Sequence, residues 1–272
     1  MIALDLDGTL AVENHQVLPR TRAGLHELKE SGVEIVIATG RRYRTTRYVI
    51  DNLGLDVYAV CNGGALVKNP DQSTLHKETF DIRPVVAIAR EHGLPLFAQR
   101  DAHDDGGADV LIDNGPGLTR EMDIYYRENR DYIEQQDLVA HGEPCLVSGT
   151  FGDADALAAM AAQIQAAFPG QYLTTIVRHF QTDSHYCEIA QGHVDKWHGL
   201  TRLHQHLGID PDHICTVGDD LNDMPMVTRA GHGIAMANGH EDLQASAVFV
   251  CGHNQEEGLV DVIDYIRRIN NG

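Results

Sequence analysis

Short apolar runs separated by stretches of helical spacing occupy both ends of the chain. Ile2 to Asp7 is an apolar run broken by Asp5, Thr21 to Glu30 repeats apolar residues at helical spacing, and Glu34 to Ala38 is β-branched. The first segment therefore predicts strand, helix, strand. Gly32 follows the helix, where tolerance of positive φ is favoured. A second helix is predicted over Tyr43 to Leu53, leading through Gly54 to a third strand at Val57 to Cys61. Strands alternating with helices in this way predict a parallel sheet covered on both faces.

The rhythm changes after Gly63-Gly64. Ala65 to Lys68 and Leu75 to Thr79 flank Asn69-Pro70-Asp71-Gln72 and read as a hairpin. Helical spacing resumes from Arg83 to His92, and a loop-rich middle follows with Gly106-Gly107 and Gly115-Pro116-Gly117. An alanine-rich helix is predicted from Asp153, as N-cap, to Phe168. Strand-like runs at Tyr172 to Arg178 and Tyr186 to Ala190 close this part. From Lys196 the alternation returns: helix Lys196 to Leu207, strand Ile214 to Val217, helix Met224 to Arg229, strands Gly233 to Met236 and Val248 to Val250, and a last helix from Gly258 to Asn270. The expectation is an α/β fold in which residues 1–80 and 191–272 build one doubly wound domain. Residues 81–190 form an α+β insert of roughly 110 residues, an ordinary domain size.

Composition is that of a soluble globular protein, 43% hydrophobic and 22% charged. Forty acidic residues against 21 basic ones give a formal charge of -19. Such a balance argues against nucleic acid or an anionic membrane as partner, because basic clusters supply that affinity. A phosphate-bearing ligand must then be met by local cations or a metal ion. Only four lysines occur, Lys29, Lys68, Lys77 and Lys196; the first three are expected at the surface. Five cysteines, odd in number and without a C-x-x-C pair, fit reduced thiols. With no basic leader and no apolar stretch of about 18 residues, a cytoplasmic protein is expected.

Ligands of doubly wound sheets sit beyond the carboxyl ends of the strands, and three predicted strands end in suggestive chemistry. Side-chain period two turns Asp5 and Asp7 to one side and Leu6 to the core. A bare D-x-D followed by Gly8 reads equally as a turn. Asp219, Asp220 and Asp223 at another strand end supply more acid than a turn needs, and a hard cation such as magnesium would neutralise them. Thr39 and Gly40 can hold a phosphate oxygen at the start of the next helix or simply make a turn. Lys196 opens a helix, where a cation opposes the dipole and needs a negative partner unless it lies at the surface. His179, Asp183 and His185 could contact substrate or be polar strand edges, and Leu203-His204-Gln205-His206 reads as an exposed helix end. Zinc-type Cys/His spacing and a G-x-S-x-G elbow are missing from the sequence.

Taken together, D-L-D-G-T-L at 5–10, A-T-G-R at 38–41, Lys196 and G-D-D-L-N-D-M at 218–224 resemble the haloacid dehalogenase superfamily, and within it the Cof-type phosphatases with a type IIB cap. The resemblance covers nearly the whole chain, although the middle matches mainly by position, size and the segment C-E-I-A-Q-G before Lys196. It implies a Rossmann-like doubly wound core with an inserted α+β cap that sets specificity. It also implies a phosphatase acting through an aspartyl-phosphate. The implied nucleophile is Asp5 and the general acid/base Asp7. Magnesium would be held by the Asp5 carboxylate, the Asp7 carbonyl and Asp219, with Asp223 and Asp220 behind them. Phosphate oxygens would meet Thr39, the Gly40 amide, Lys196, Asn222 and the Leu6 backbone. Asn62 matches a position beside the cap opening, and Arg41 one near the substrate. The implied partner is a small phosphorylated metabolite, a sugar phosphate or phosphorylated cofactor. A hexose phosphomutase shares the D-x-D start, and a receiver-like phospho-acceptor module combines similar residues, but length and motif order oppose the latter.

Overall fold

The computed structural model describes residues 1–102, 106–178 and 184–271. It divides the chain into two compact units, Met1–Lys77 with Asp195–Gly272, and Glu78–Val194.

The first unit is built on an eight-stranded sheet in the order Phe249–Cys251, His232–Met236, Cys215–Gly218, Ile2–Leu4, Ile35–Ala38, Tyr58–Cys61, Leu66–Lys68, Thr74–Lys77. The first six strands are parallel and the last two antiparallel. Strand order reverses at Ile2–Leu4, which lies between Ile35–Ala38, next in sequence, and Cys215–Gly218 from the far end of the chain. The crevice that binds ligands in such sheets forms at this reversal. Alternation along the pleat sends Ala3, Val36, Ala38, Val60 and Ala235 to one face, where they pack with Leu200, Leu203, Met226, Val227 and Leu243 from three helices. Ile2, Leu4, Ile35 and Ile37 point the other way and are equally buried. The helices Pro19–Glu30 and Leu259–Asn271 pack together through Gly24, whose absent side chain leaves room for Ile263.

Lys68 departs from its expected surface position. It is fully buried, with Nζ 2.9 Å from the Thr74 hydroxyl and 5.2 Å from the centre of the Tyr43 ring. Its strand lies between two others, so the lysine stem is covered and its charge meets a hydroxyl and a ring face. His204 is also buried rather than exposed, and its Nδ1 lies 2.9 Å from the Ile209 carbonyl at the helix end.

The second unit carries a six-stranded sheet in the order Tyr172–Arg178, His185–Gln191, Val147–Gly152, Phe97–Gln99, Val110–Asp113, Ile133–Gln136, antiparallel except for its last pair. The helices Arg83–Glu91 and Ala154–Ala167 cover one face through Val86, Ala89, Leu157 and Met160. On the other face, Met122 and Tyr125 of the helix Arg120–Glu128 meet Phe97, Val110, Ile112 and Phe151. Among the described residues, the stretch read as loop-rich thus holds four strands and two helices. Its strands Phe97–Gln99 and Val110–Asp113 are short and buried on both faces, so neither shows the alternation that betrays a half-buried strand. Asp113 is fully buried here. Its carboxylate accepts from Arg90 at 2.8 and 2.5 Å and from the Leu138 amide at 3.1 Å, which satisfies a charge that burial would otherwise disfavour. Among the described residues no helix is long and apolar enough to cross a membrane.

Candidate active site

The strand Ile2–Leu4 ends one residue before Asp5, and the next residues turn sharply. Asp5 hydrogen-bonds through its amide to the Val217 carbonyl at 2.9 Å, which holds it against the neighbouring parallel strand with its side chain buried. Asp7 lies past the strand's end, where period two no longer applies. Its side chain is 57% exposed and receives a fork from Arg41, Nε to Oδ2 at 2.7 Å and a terminal nitrogen to Oδ1. The two carboxylates predicted to share one side therefore have different surroundings.

Asp5 belongs instead to a buried cluster. Lys196 donates from Nζ to Asp5 at 2.5 Å and to Asp223 at 2.6 Å, and only 2% of its side chain is exposed. The helix Lys196–Leu207 begins at this residue, so two carboxylates offset the opposition between its charge and the helix dipole. Gly64, at φ 110°, permits the approach: a side chain there would stand 1.9 Å from the Asp195 carbonyl, one residue before the lysine. Trp197 packs into the apolar cluster beneath, 5.9 Å from the His204 ring.

Asp219 and Asp223 come from the turn after Cys215–Gly218. Asp223 is fully buried, and its second oxygen accepts from the amides of Asp219 and Asp220 at 3.0 and 3.1 Å. Asp220 caps the short 3-10 turn Leu221–Asp223 through the Leu221 amide at 2.7 Å. Asp219 accepts from the Thr9 hydroxyl at 3.0 Å, and its own carbonyl accepts from the His240 amide at 2.7 Å. Gly8, at φ 84°, lies so near that a side chain would stand 2.2 Å from Asp219 Oδ2. The glycine of D-G-T thus serves both the turn and the carboxylate beside it.

Asp5, Asp219 and Asp223 each offer an oxygen, all within 4.8 Å of one another. Three acids share one ammonium, and the electrostatics reflect that excess. Burial, reinforced by Asp223 and Asp219 and opposed by Lys196, raises the Asp5 pKa well above the usual carboxylate range. Burial and Asp223 push Asp219 up to about 6 against the Thr9 hydrogen bond. For Lys196, burial alone would lower the pKa, but the attraction of Asp5 and Asp223 outweighs it and raises the value. Hard oxygen donors in excess of their counter-charge fit a divalent cation. Asp223, with both oxygens engaged by protein donors, suits a supporting position behind Asp5 and Asp219.

Thr39 is buried at the end of Ile35–Ala38, where its hydroxyl accepts from the Arg41 amide at 3.1 Å and Gly40 beside it is exposed. Asn62 is buried at φ 52°, its amide donating to the Arg41 carbonyl at 2.9 Å. Leu6 is fully buried, and Asn222 is exposed on the Leu221–Asp223 turn. His185 begins the strand His185–Gln191 of the second unit, while His179 and Asp183 lie outside the described residues. Two supporting residues carried no separate expectation: Thr9, and Asn238, which donates to the Gly8 carbonyl at 2.8 Å. Thr9 stands inside D-L-D-G-T-L and was open to inference; Asn238 follows a strand with no pattern to mark it.

The profile of haloacid dehalogenase-like hydrolases matches residues 2–263. An HMP-PP phosphatase of Cronobacter sakazakii is 27% identical over 97% of this chain and 94% of its own length. A pyridoxal phosphate phosphatase of Escherichia coli is 26% identical over 97% of each. In fold, the chain superposes on a haloacid dehalogenase-like hydrolase from Bacteroides thetaiotaomicron with a TM-score of 0.79 and 22% identity, covering 97% of this chain and 98% of that one.

Proposed function

The chain belongs to the haloacid dehalogenase-like hydrolases, and from that premise we propose that it hydrolyses a small phosphate monoester through an aspartyl-phosphate on Asp5. The observation that carries this reading is the buried cluster in which Lys196 bridges Asp5 and Asp223 beside Asp219. Asp5 is the nucleophile, held by Lys196 with its carboxylate out of bulk water. Lys196 also offers positive charge to the equatorial oxygens of the transferring group, joined by the Thr39 hydroxyl, the Gly40 amide, Asn222 and the Leu6 backbone. Asp7 gives a proton to the departing oxygen and afterwards takes one from the water that attacks the aspartyl-phosphate. Arg41 and Asn62 flank the substrate.

Magnesium is the proposed metal, held by Asp5, Asp219 and the Asp7 carbonyl, with Asp223 supporting. When bound it supplies charge neutralisation between carboxylates and phosphate. Without it, the raised Asp219 makes a contribution to stability that is present below the usual carboxylate value and lost as pH rises through about 6. Magnesium is therefore expected to raise the melting temperature at pH 7.5, and the gain should shrink as pH falls below about 6, where protons compete for Asp219. Thermal unfolding with and without the ion measures this. An equal gain at pH 5 and 7.5 would contradict it.

The two curated relatives are named for phosphorylated cofactor-like compounds, and the same substrate class is proposed here, with the Glu78–Val194 unit setting the choice. Net release of inorganic phosphate is expected from phosphorylated cofactors or sugar phosphates. Incubation with a hexose 1-phosphate separates hydrolysis from a mutase: isomerisation without phosphate release would overturn the hydrolase reading.

A further inference from the structure

Arg41 has more partners than a surface arginine needs. Nε and one terminal nitrogen fork onto the two oxygens of Asp7, and that same terminal nitrogen lies 3.1 Å from His15 Nδ1. A guanidinium only donates, so Nδ1 accepts and the ring proton rests on Nε2. His15 meets it from a short turn, Glu13–His15, at φ 59°, an uncommon conformation for a residue with a side chain. The guanidinium is thus fixed from two sides beside the residue assigned to the leaving group.

The fork suits phosphate and carboxylate alike, since each offers two oxygens at matching spacing. Its present partner is replaceable: the Asp7 side chain is 57% exposed, so water can take over its hydrogen bonds when another anion enters the fork. The surrounding sequence is basic. In a chain of net charge -19, residues 41 to 47 hold four arginines, Arg41, Arg42, Arg44 and Arg47, and no acid. The helix they open, Tyr43–Leu53, carries one acid, Asp51, which Arg47 takes at 2.6 Å.

Resting on the phosphatase reading above, we propose that Arg41, positioned by His15, receives a second anionic group on the substrate. The preferred substrates are then doubly anionic, a diester-free molecule bearing two phosphates or a phosphate and a carboxylate a few bonds apart. Asp7 occupies the fork in the substrate's absence, and the second anion replaces it while the transferring phosphoryl group meets Asp5. Arg41 reads the leaving group, and His15 acts through Arg41 as a positioning residue.

Isothermal titration with three non-hydrolysable probes in the presence of magnesium tests this without turnover: propylphosphonate, 3-phosphonopropionate and 1,3-propanediphosphonate. The wild-type protein is expected to bind the two doubly anionic probes about tenfold or more tighter than propylphosphonate. The better of the two identifies carboxylate or phosphate as the second group. Arg41→Ala and His15→Ala should each reduce the preference to about threefold or less, and His15→Asn, which keeps an acceptor, should restore most of it. Equal wild-type affinities, or a preference that survives Arg41→Ala, would overturn the inference. A preserved preference in a protein that releases phosphate from no monoester would instead overturn the hydrolase reading and leave the anion site standing.

Discussion

Asp5→Asn is expected to lower magnesium-dependent phosphate release by at least about 10⁴-fold, because the amide keeps the shape of the side chain and cannot form the acyl phosphate. Stability should not suffer. Asp5 is one of three acids around a single ammonium, and its pKa is raised by burial and by Asp223 and Asp219. A carboxyl raised in the folded state makes a contribution that is full below the usual carboxylate value and lost as pH rises through the higher one. Ionised Asp5 thus weakens the fold relative to acid, and the amide removes that penalty while Lys196 keeps Asp223. The melting temperature at pH 7 should match or exceed that of the wild type. Unfolding of the variant at pH 7, or turnover within tenfold of wild type, would contradict the assignment.

Lys196→Met is expected to act on both fold and activity. Removing the ammonium leaves Asp5 and Asp223 buried without a cation, and breaking a buried pair from one side costs about 3 to 5 kcal/mol. The pH dependence has a definite sign. Lys196 is raised above its ordinary value, so its pairing stabilises fully below the usual lysine pKa, about 10.4, and the gain is lost as pH rises through the higher folded value. The gap between variant and wild type should persist from pH 6 to 9 and narrow in acid, where the stranded carboxyls take protons. Urea unfolding at pH 4, 7 and 9 measures it, with turnover lost at every pH where the variant stays folded. A variant within 1 kcal/mol of wild type at pH 7 would place the ammonium outside the cluster.

Much of this arrangement was legible before any coordinates. Most of the first unit's strands and helices stand within a residue or two of the predicted spans because each has a clear period and clean punctuation, as at Gly54 after Tyr43–Leu53, whereas the first strand stops three residues early and the helix Glu241–Ser246 carried no prediction. Lys196 could be reasoned to need a negative partner from its place at a helix start; that the partners are Asp5 and Asp223 required residues 27 and 191 positions away to meet. Three things were not legible. Strands buried on both faces hid in the middle of the chain, where Phe97–Gln99 and Val110–Asp113 offer no alternation. The fates of Asp5 and Asp7 diverged because the strand stops at Leu4, and period-two reasoning was carried past its end. Lys68 was misjudged for a related reason: composition marks lysine as exposed, whereas its strand has neighbours on both sides.

The central claim is that Asp5 carries the phosphoryl group covalently. Excess enzyme mixed with a phosphate monoester and magnesium, quenched in acid within milliseconds and digested for mass spectrometry, reads the acceptor directly. The predicted result is a transient phosphoryl group on the peptide containing Asp5, absent from Asp5→Asn. Phosphate release with no phosphoenzyme at any time point, or a phosphoryl group on another residue, would contradict it.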